Sequence, residues 1–267
     1  MTKISVRPEE GLKTLSEDPS RRTLAAREIT LTNRLAAVTA TLRPGEITAI
    51  CGPNGAGKSS LLQCLAGLLT SDRGRVTLDG ADFAALHPRE RAKVIGYLPQ
   101  EPEVAWDVAV RTLVALGRLP HRDQGEAQVA AALAALDLTA LAERPVSTLS
   151  GGEKARVLLA RVLAGEPEWI LADEPLAALD LAHQLSLLRH LRAAANAGAG
   201  VVLVLHDLAL AMNHADRVLV LESGRIAADG PPQEALSAIN IERIWGVPAH
   251  WLGEPGARAL VASAGPG

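Results

Sequence analysis

The chain has 267 residues, 48% of them hydrophobic and 2% aromatic, and a formal net charge of −3. That length allows one large domain or two small ones, the charge leaves no electrostatic footprint for nucleic acid, and so few aromatic rings leave almost no platform for stacking bases. The strongest apolar run, Val201 to Leu205, stops at His206-Asp207 and is too short to span a bilayer.

The first stretch, residues 1–22, is polar, carries Pro8, Gly11 and Pro19, and shows no periodicity. It reads as a disordered extension without the apolar core of a secretion signal. Arg27–Thr32 and Val38–Leu42 alternate and are expected to be half-exposed strands. Glu46 to Cys51 is a short apolar run expected to form a buried strand, and Ser59 to Leu69 carries leucines at helical spacing. Arg75–Leu78 lies between turn signals and reads as a hairpin strand; Val94 to Gln100 reads as another strand. From Glu101 onward the pattern turns helical, with helices expected over Val110–Gly117 and Glu126–Leu136, so a helical subdomain is placed at about 101–165. Lys154–Ala164 continues it after Leu149-Ser150-Gly151-Gly152-Glu153. Trp169 to Glu174 and Val201 to Leu205 are further buried strands, and Arg217 to Ala228 reads as strand, turn and strand. The rest is partly helical and ends in a small-residue tail, 256–267. The only cysteines, Cys51 and Cys64, read as small buried hydrophobes, which suits a cytoplasmic protein.

The chemistry concentrates between the first buried strand and its helix. Gly52-Pro53-Asn54-Gly55-Ala56-Gly57-Lys58-Ser59 fits the phosphate-loop pattern without a mismatch. Phosphate oxygens must come close to main-chain N–H groups, so the loop side chains must be small. The loop amides and the start of the helix then offer partial positive charge to an anion. Lys58 can reach the β- and γ-phosphates, and the Ser59 hydroxyl can bind magnesium. Ser150-Gly151-Gly152 has the small-residue-into-helix form of a second anion site, although taken alone it is only a turn signal. An acid pair at a strand end is often a solvated turn. Downstream of a phosphate loop, Asp173 reads instead as a magnesium ligand and Glu174 as the group that activates water. His206, also at a strand end, is a candidate γ-phosphate contact.

Taken together and in this order, these motifs resemble the ATP-binding subunit of ABC transporters. Gly52 to Ser59 resembles the Walker A loop, Gln100 the Q-loop glutamine and Leu149 to Glu153 the signature. Ile170 to Glu174 resembles Walker B with the catalytic glutamate, Ala177 to Asp180 the D-loop, and His206 the switch histidine. The resemblance covers roughly Thr23 to Gly246. It implies an α/β P-loop NTPase of the ABC type, a single domain over 23–255 with a RecA-like core, an antiparallel β subdomain and a helical insertion. It also implies ATP and Mg2+, with Ser59, Gln100 and Asp173 around the metal. Two subunits would pair head to tail as a homodimer, each ATP held between one Walker A and the other subunit's signature, with Asp180 beside it. Partners would be polytopic permease subunits, through them a periplasmic or surface binding protein, and no nucleic acid. The place would be the cytoplasmic face of the membrane. Tyr97 to Pro102 and Leu116-Gly117-Arg118-Leu119-Pro120-His121 resemble importers of iron–siderophore chelates, haem and vitamin B12.

Two positions depart from the family pattern. The family stacks adenine on an aromatic residue upstream of Walker A, but no aromatic precedes Phe83 here, and Arg34 is the candidate for that place. Ser60 and Ala155 stand where threonine and glutamine are common, with little expected effect. Soluble ABC ATPases of repair or translation carry tandem cassettes or long coiled coils. This chain has one Walker A and no sustained heptad run.

Overall fold

The computed structural model describes residues 22–100, 107–177 and 179–262. The expected extension therefore lies outside the described residues except for Arg22. The start of the helical subdomain, 101–106, and Ala178 lie outside them too.

The centre is β3, Ile47–Cys51, five residues that are all buried. Successive side chains of a strand point to opposite faces. Ile47, Ala49 and Cys51 enter one apolar core, and Ile50 enters the other. Burial on both faces explains why the run is continuous in the sequence rather than alternating. Around β3 lie β6 (Ile95–Leu98), β7 (Trp169–Asp173), β8 (Gly200–Val204), β9 (Arg217–Glu222) and β10 (Arg225–Gly230). They form one sheet in the order β10-β9-β3-β8-β7-β6. All neighbours are parallel except the β9–β10 hairpin. A second sheet, β2-β1-β4-β5, is antiparallel and is built from β1 (Leu24–Leu31), β2 (Leu35–Leu42), β4 (Arg73–Leu78) and β5 (Ala81–Asp82). Its inner residues Leu24, Ile29, Val38 and Leu78 share a core with α1, Lys58–Leu65.

The third part is helical. It holds α3 (Val110–Ala115), α4 (Glu126–Ala135) and α5 (Gly151–Ala164), packed through Val114, Leu133 and Leu159. The segment Leu116–His121 is a 3-10 helix held by one buried cation. Arg118 is 4% exposed; its guanidinium donates twice to Asp123, at 2.9 and 2.7 Å, and also to Glu166 and to the Ala164 carbonyl, each at 3.1 Å. Arg118→Ala should leave that carbonyl unpaired and a gap beside Gly125. A loss of about 1–3 kcal/mol of folding stability is expected, read as a lower urea midpoint at unchanged slope.

Several elements differ from expectation. The helix after the phosphate loop ends at Leu65, because Gly67 turns the chain at φ 67. Val94 closes an unexpected helix, α2 (Pro88–Val94), and only Ile95–Leu98 is strand. Two more helices go beyond the sequence expectation, α6 (Leu181–Asn196) and α7 (Leu208–His214). At the C-terminal end α8 (Pro232–Ala235) and α9 (Ala238–Trp245) meet the expectation of partial helix. The expected tail boundary at 255 falls inside a hairpin of β11 (Ala249–Leu252) and β12 (Ala259–Ala262). That hairpin is fastened to α7: the Asn213 side chain donates to the Arg258 carbonyl and accepts from the Arg258 N–H, both at 2.8 Å. Cys51 and Cys64 are free and buried, as expected, and burial pushes the Cys51 thiol up to about 12. Among the described residues no helix is long and apolar enough to cross a membrane.

Candidate functional site

The strand order decides which residues meet. The phosphate loop follows the carboxyl end of β3, His206 follows that of β8, Asp173 ends β7 with Glu174 directly after it, and Gln100 follows β6. In an open parallel sheet this edge is where ligands bind. Four sequence-distant segments therefore line up across adjacent strands.

The loop itself is shaped by close backbone approaches. Gly52 has φ 147, and a Cβ there would lie 2.1 Å from the Leu221 carbonyl oxygen. Gly57, at φ 97, caps α1 without a side-chain bond, and a Cβ on it would lie 2.6 Å from the Arg34 carbonyl oxygen. Only glycine fits either place. The β9–β10 turn braces the same loop: the Gly224 N–H donates to the Ala56 carbonyl, and the Gly224 carbonyl accepts from the Ala36 N–H. The first amides of α1 are left free for an anion.

Arg34, Asn54, Gly55, Ala56, Gly57, Lys58, Ser59, Ser60, Glu174 and His206 line an open cavity of about 390 Å3. Lys58 is buried, and its ammonium donates to the carbonyls of Gly52 and Pro53 at 2.9 and 3.0 Å. Burial lowers its pKa from the ordinary lysine value. The Ser59 hydroxyl donates to Asp173 Oδ1 at 3.0 Å. Asp173 is 3% exposed, and burial raises its pKa against the opposing pull of Ser59 and Lys58. Glu174 stands at φ 48, a left-handed backbone that is uncommon outside glycine. One of its oxygens accepts from Gln100 Nε2 at 2.8 Å, and the other meets His206 Nε2 at 2.5 Å.

The donor set fits magnesium. That ion takes hard oxygen ligands and is usually held by one or two carboxylates together with substrate phosphates. Ser59 and the buried Asp173 supply two such oxygens side by side. Among the described residues no group of three His, Cys, Asp or Glu could hold a metal alone, so a divalent ion here would need phosphate and water to complete its shell.

Not every candidate residue reaches this cavity. Ser150, Gly151, Gly152 and Asp180 do not line it. Ser150 caps α5 in a reciprocal box: its hydroxyl accepts from the Glu153 N–H at 3.3 Å, and Glu153 accepts from the Ser150 N–H at 2.8 Å. Asp180 caps α6. Arg34 lines the cavity, with its backbone carbonyl against Gly57. One residue at the second place is invisible to motif reading: His183, whose ring lies against Gly152. No sequence pattern signals it.

The family described as ABC transporter matches residues 35–177 of the chain. The hemin import ATP-binding protein of Nocardia farcinica is 49% identical over 79% of this chain and 75% of its own length. Its counterpart in Myxococcus xanthus is 46% identical over 81% of this chain and 86% of its own. Among solved structures, an inward-facing metal-chelate type ABC transporter superposes with a TM-score of 0.76 at 26% identity, covering 92% of this chain and 99% of its own. The cbiO1 part of the cbiONQ transporter complex of Clostridium perfringens does so with a TM-score of 0.73 at 28% identity, covering 82% and 92%.

Proposed function

The chain belongs to the ABC transporter family, and from that premise we propose how its site works and what its complex carries. It is the ATP-hydrolysing subunit of an import complex, associated peripherally with membrane permease subunits. The proposed cargo is haem or a closely related metal chelate, the import named for its relatives at 40–49% identity. We place the subunit on the cytoplasmic face, as one ABC domain over 23–255 that works as a homodimer, with a binding protein delivering cargo to the permease.

The observation that carries the reading is the meeting of Gln100, Glu174 and His206 beside Lys58 and the Ser59–Asp173 pair. Main-chain N–H groups of Gly55, Gly57 and Lys58 cradle the phosphates, and the Lys58 ammonium leaves the loop carbonyls to contact them. Ser59 and Asp173, with Gln100 near, would hold the magnesium that neutralises phosphate charge. Glu174 orients and deprotonates the attacking water, and His206 and Gln100 fix its carboxylate. His206 also faces the place of the γ-phosphate. Ser150, Gly151 and Gly152 of a second copy close over that phosphate, with Asp180 alongside.

The cell that makes this protein supplies the test. Removing the chain should abolish growth on haem as sole iron source and spare growth on ferrous salt. Restored growth should follow from the wild-type chain and not from Glu174→Gln; rescue by that variant would contradict the reading. Base selection is testable separately. With Arg34 as the one stacking group, ATP and GTP affinities should differ little in Arg34→Ala, by titration calorimetry. A strong ATP preference that survives the substitution would remove Arg34 from the site.

A further inference from the structure

We propose that His183 is a positioning residue that ties Asp180 to Gly152, so that the D-loop and the signature of one chain move as a single body. The inference rests on the composite-site reading above, in which both segments face a second copy.

The geometry has two ends. At one end, Asp180 Oδ1 caps α6 by accepting from the His183 N–H at 2.9 Å, and the same oxygen meets His183 Nδ1 at 2.7 Å. A carboxylate only accepts, so Nδ1 carries the ring proton. At the other end, the opposite edge of the ring covers Gly152. A Cβ built on Gly152 would lie 2.1 Å from His183 Cδ2 and 2.5 Å from Nε2. The ring occupies the space that a side chain at position 152 would fill. Gly152 is buried by this contact, whereas Ser150 and Gly151 beside it are exposed. The imidazole thus stands between the first turns of α5 and α6, bonded to one and packed on the other.

The consequence concerns assembly rather than chemistry. Nothing at His183 lines the phosphate-loop cavity of its own chain. Nucleotide binding to a single subunit is therefore independent of it. What it sets is the mutual placement of Ser150-Gly151-Gly152 and Asp180, which must both fit a second copy at once. Misplacement of a positioning group by about 1 Å can cost about 100-fold in rate.

The test uses the full chain with three substitutions. His183→Asn keeps a donor for Asp180 but has no ring edge on Gly152. His183→Phe keeps the ring but loses the donor. His183→Ala loses both. If the link needs both ends, all three should lower kcat by about 10- to 100-fold, with unchanged ATP affinity of the monomer and unchanged melting temperature. Wild-type rates in His183→Phe would reduce the residue to packing, and wild-type rates in His183→Asn would reduce it to a hydrogen-bond donor for Asp180; either result overturns the proposal. So does a rate loss that follows the melting temperature. In a Glu174→Gln background, adding His183→Ala should raise the ATP concentration needed for dimerisation. Equal dimerisation with and without it would overturn the link alone. Failure of Glu174→Gln itself to dimerise would overturn the composite site, and the link with it.

Discussion

Glu174→Gln should lower the hydrolysis rate by about 10²–10⁴-fold while ATP binding is retained, which is the range that one positioned general base contributes. The amide keeps the size of the carboxylate. It can still reach the Gln100 and His206 side chains that hold Glu174. The Lys58, Ser59 and Asp173 contacts are untouched. What disappears is the group proposed to accept a proton from water. The left-handed backbone at φ 48 matters here, because a bulkier change would confound lost chemistry with a moved strand end. Rapid-quench measurement of bound ATP and released phosphate separates the two effects. Hydrolysis within a few-fold of wild type would mean that Glu174 is not the base.

Lys58→Ala should instead weaken binding. The ammonium is buried against two loop carbonyls, and Lys58 lines the cavity proposed to take the phosphates. Each charge-assisted hydrogen bond to phosphate is worth about 1.5–3 kcal/mol, so its removal costs about 10- to 150-fold in affinity. Fold stability responds in two opposing ways. Removing the ammonium relieves the desolvation that lowers the lysine pKa, but it also leaves the Gly52 and Pro53 carbonyls without their donor. The expected pattern is a weak ATP binder, read by equilibrium dialysis. Wild-type affinity would contradict the phosphate-loop assignment.

What is legible in the sequence is what local pattern encodes. The loop Gly52 to Ser59 declares itself because close backbone approach demands glycine at fixed positions, and the structure shows those approaches at Gly52 and Gly57. Strands β3, β7 and β8 read as unbroken apolar runs because both faces are covered. Helix α6 escapes such reading for a physical reason. Its leucines at 181 and 185 are exposed while those at 187, 188 and 191 are buried, so two apolar registers compete in one helix. Helix α7 has only seven residues, too few to show a period. The hairpin β11–β12 rests on pairing between two four-residue strands and on the Asn213 bridge, none of which leaves a local mark. The Ser59–Asp173 and Gln100–Glu174–His206 contacts join residues tens of positions apart. They can be anticipated only through the family's motif order. His183 lies outside those motifs and emerges only from its packing on Gly152.

The most direct test of the account asks whether two chains share each ATP. Glu174→Gln and the double variant Glu174→Gln with Ser150→Arg are incubated with ATP and magnesium and passed over a size-exclusion column. Ser150 is exposed at the start of α5; an arginine there gives up the hydroxyl cap on the Glu153 N–H, a cost of about 1 kcal/mol, and puts bulk where the composite-site proposal has a second copy approach. The account predicts that the single variant elutes as a dimer and the double variant as a monomer that still binds ATP. Equal dimerisation of both would contradict the composite site.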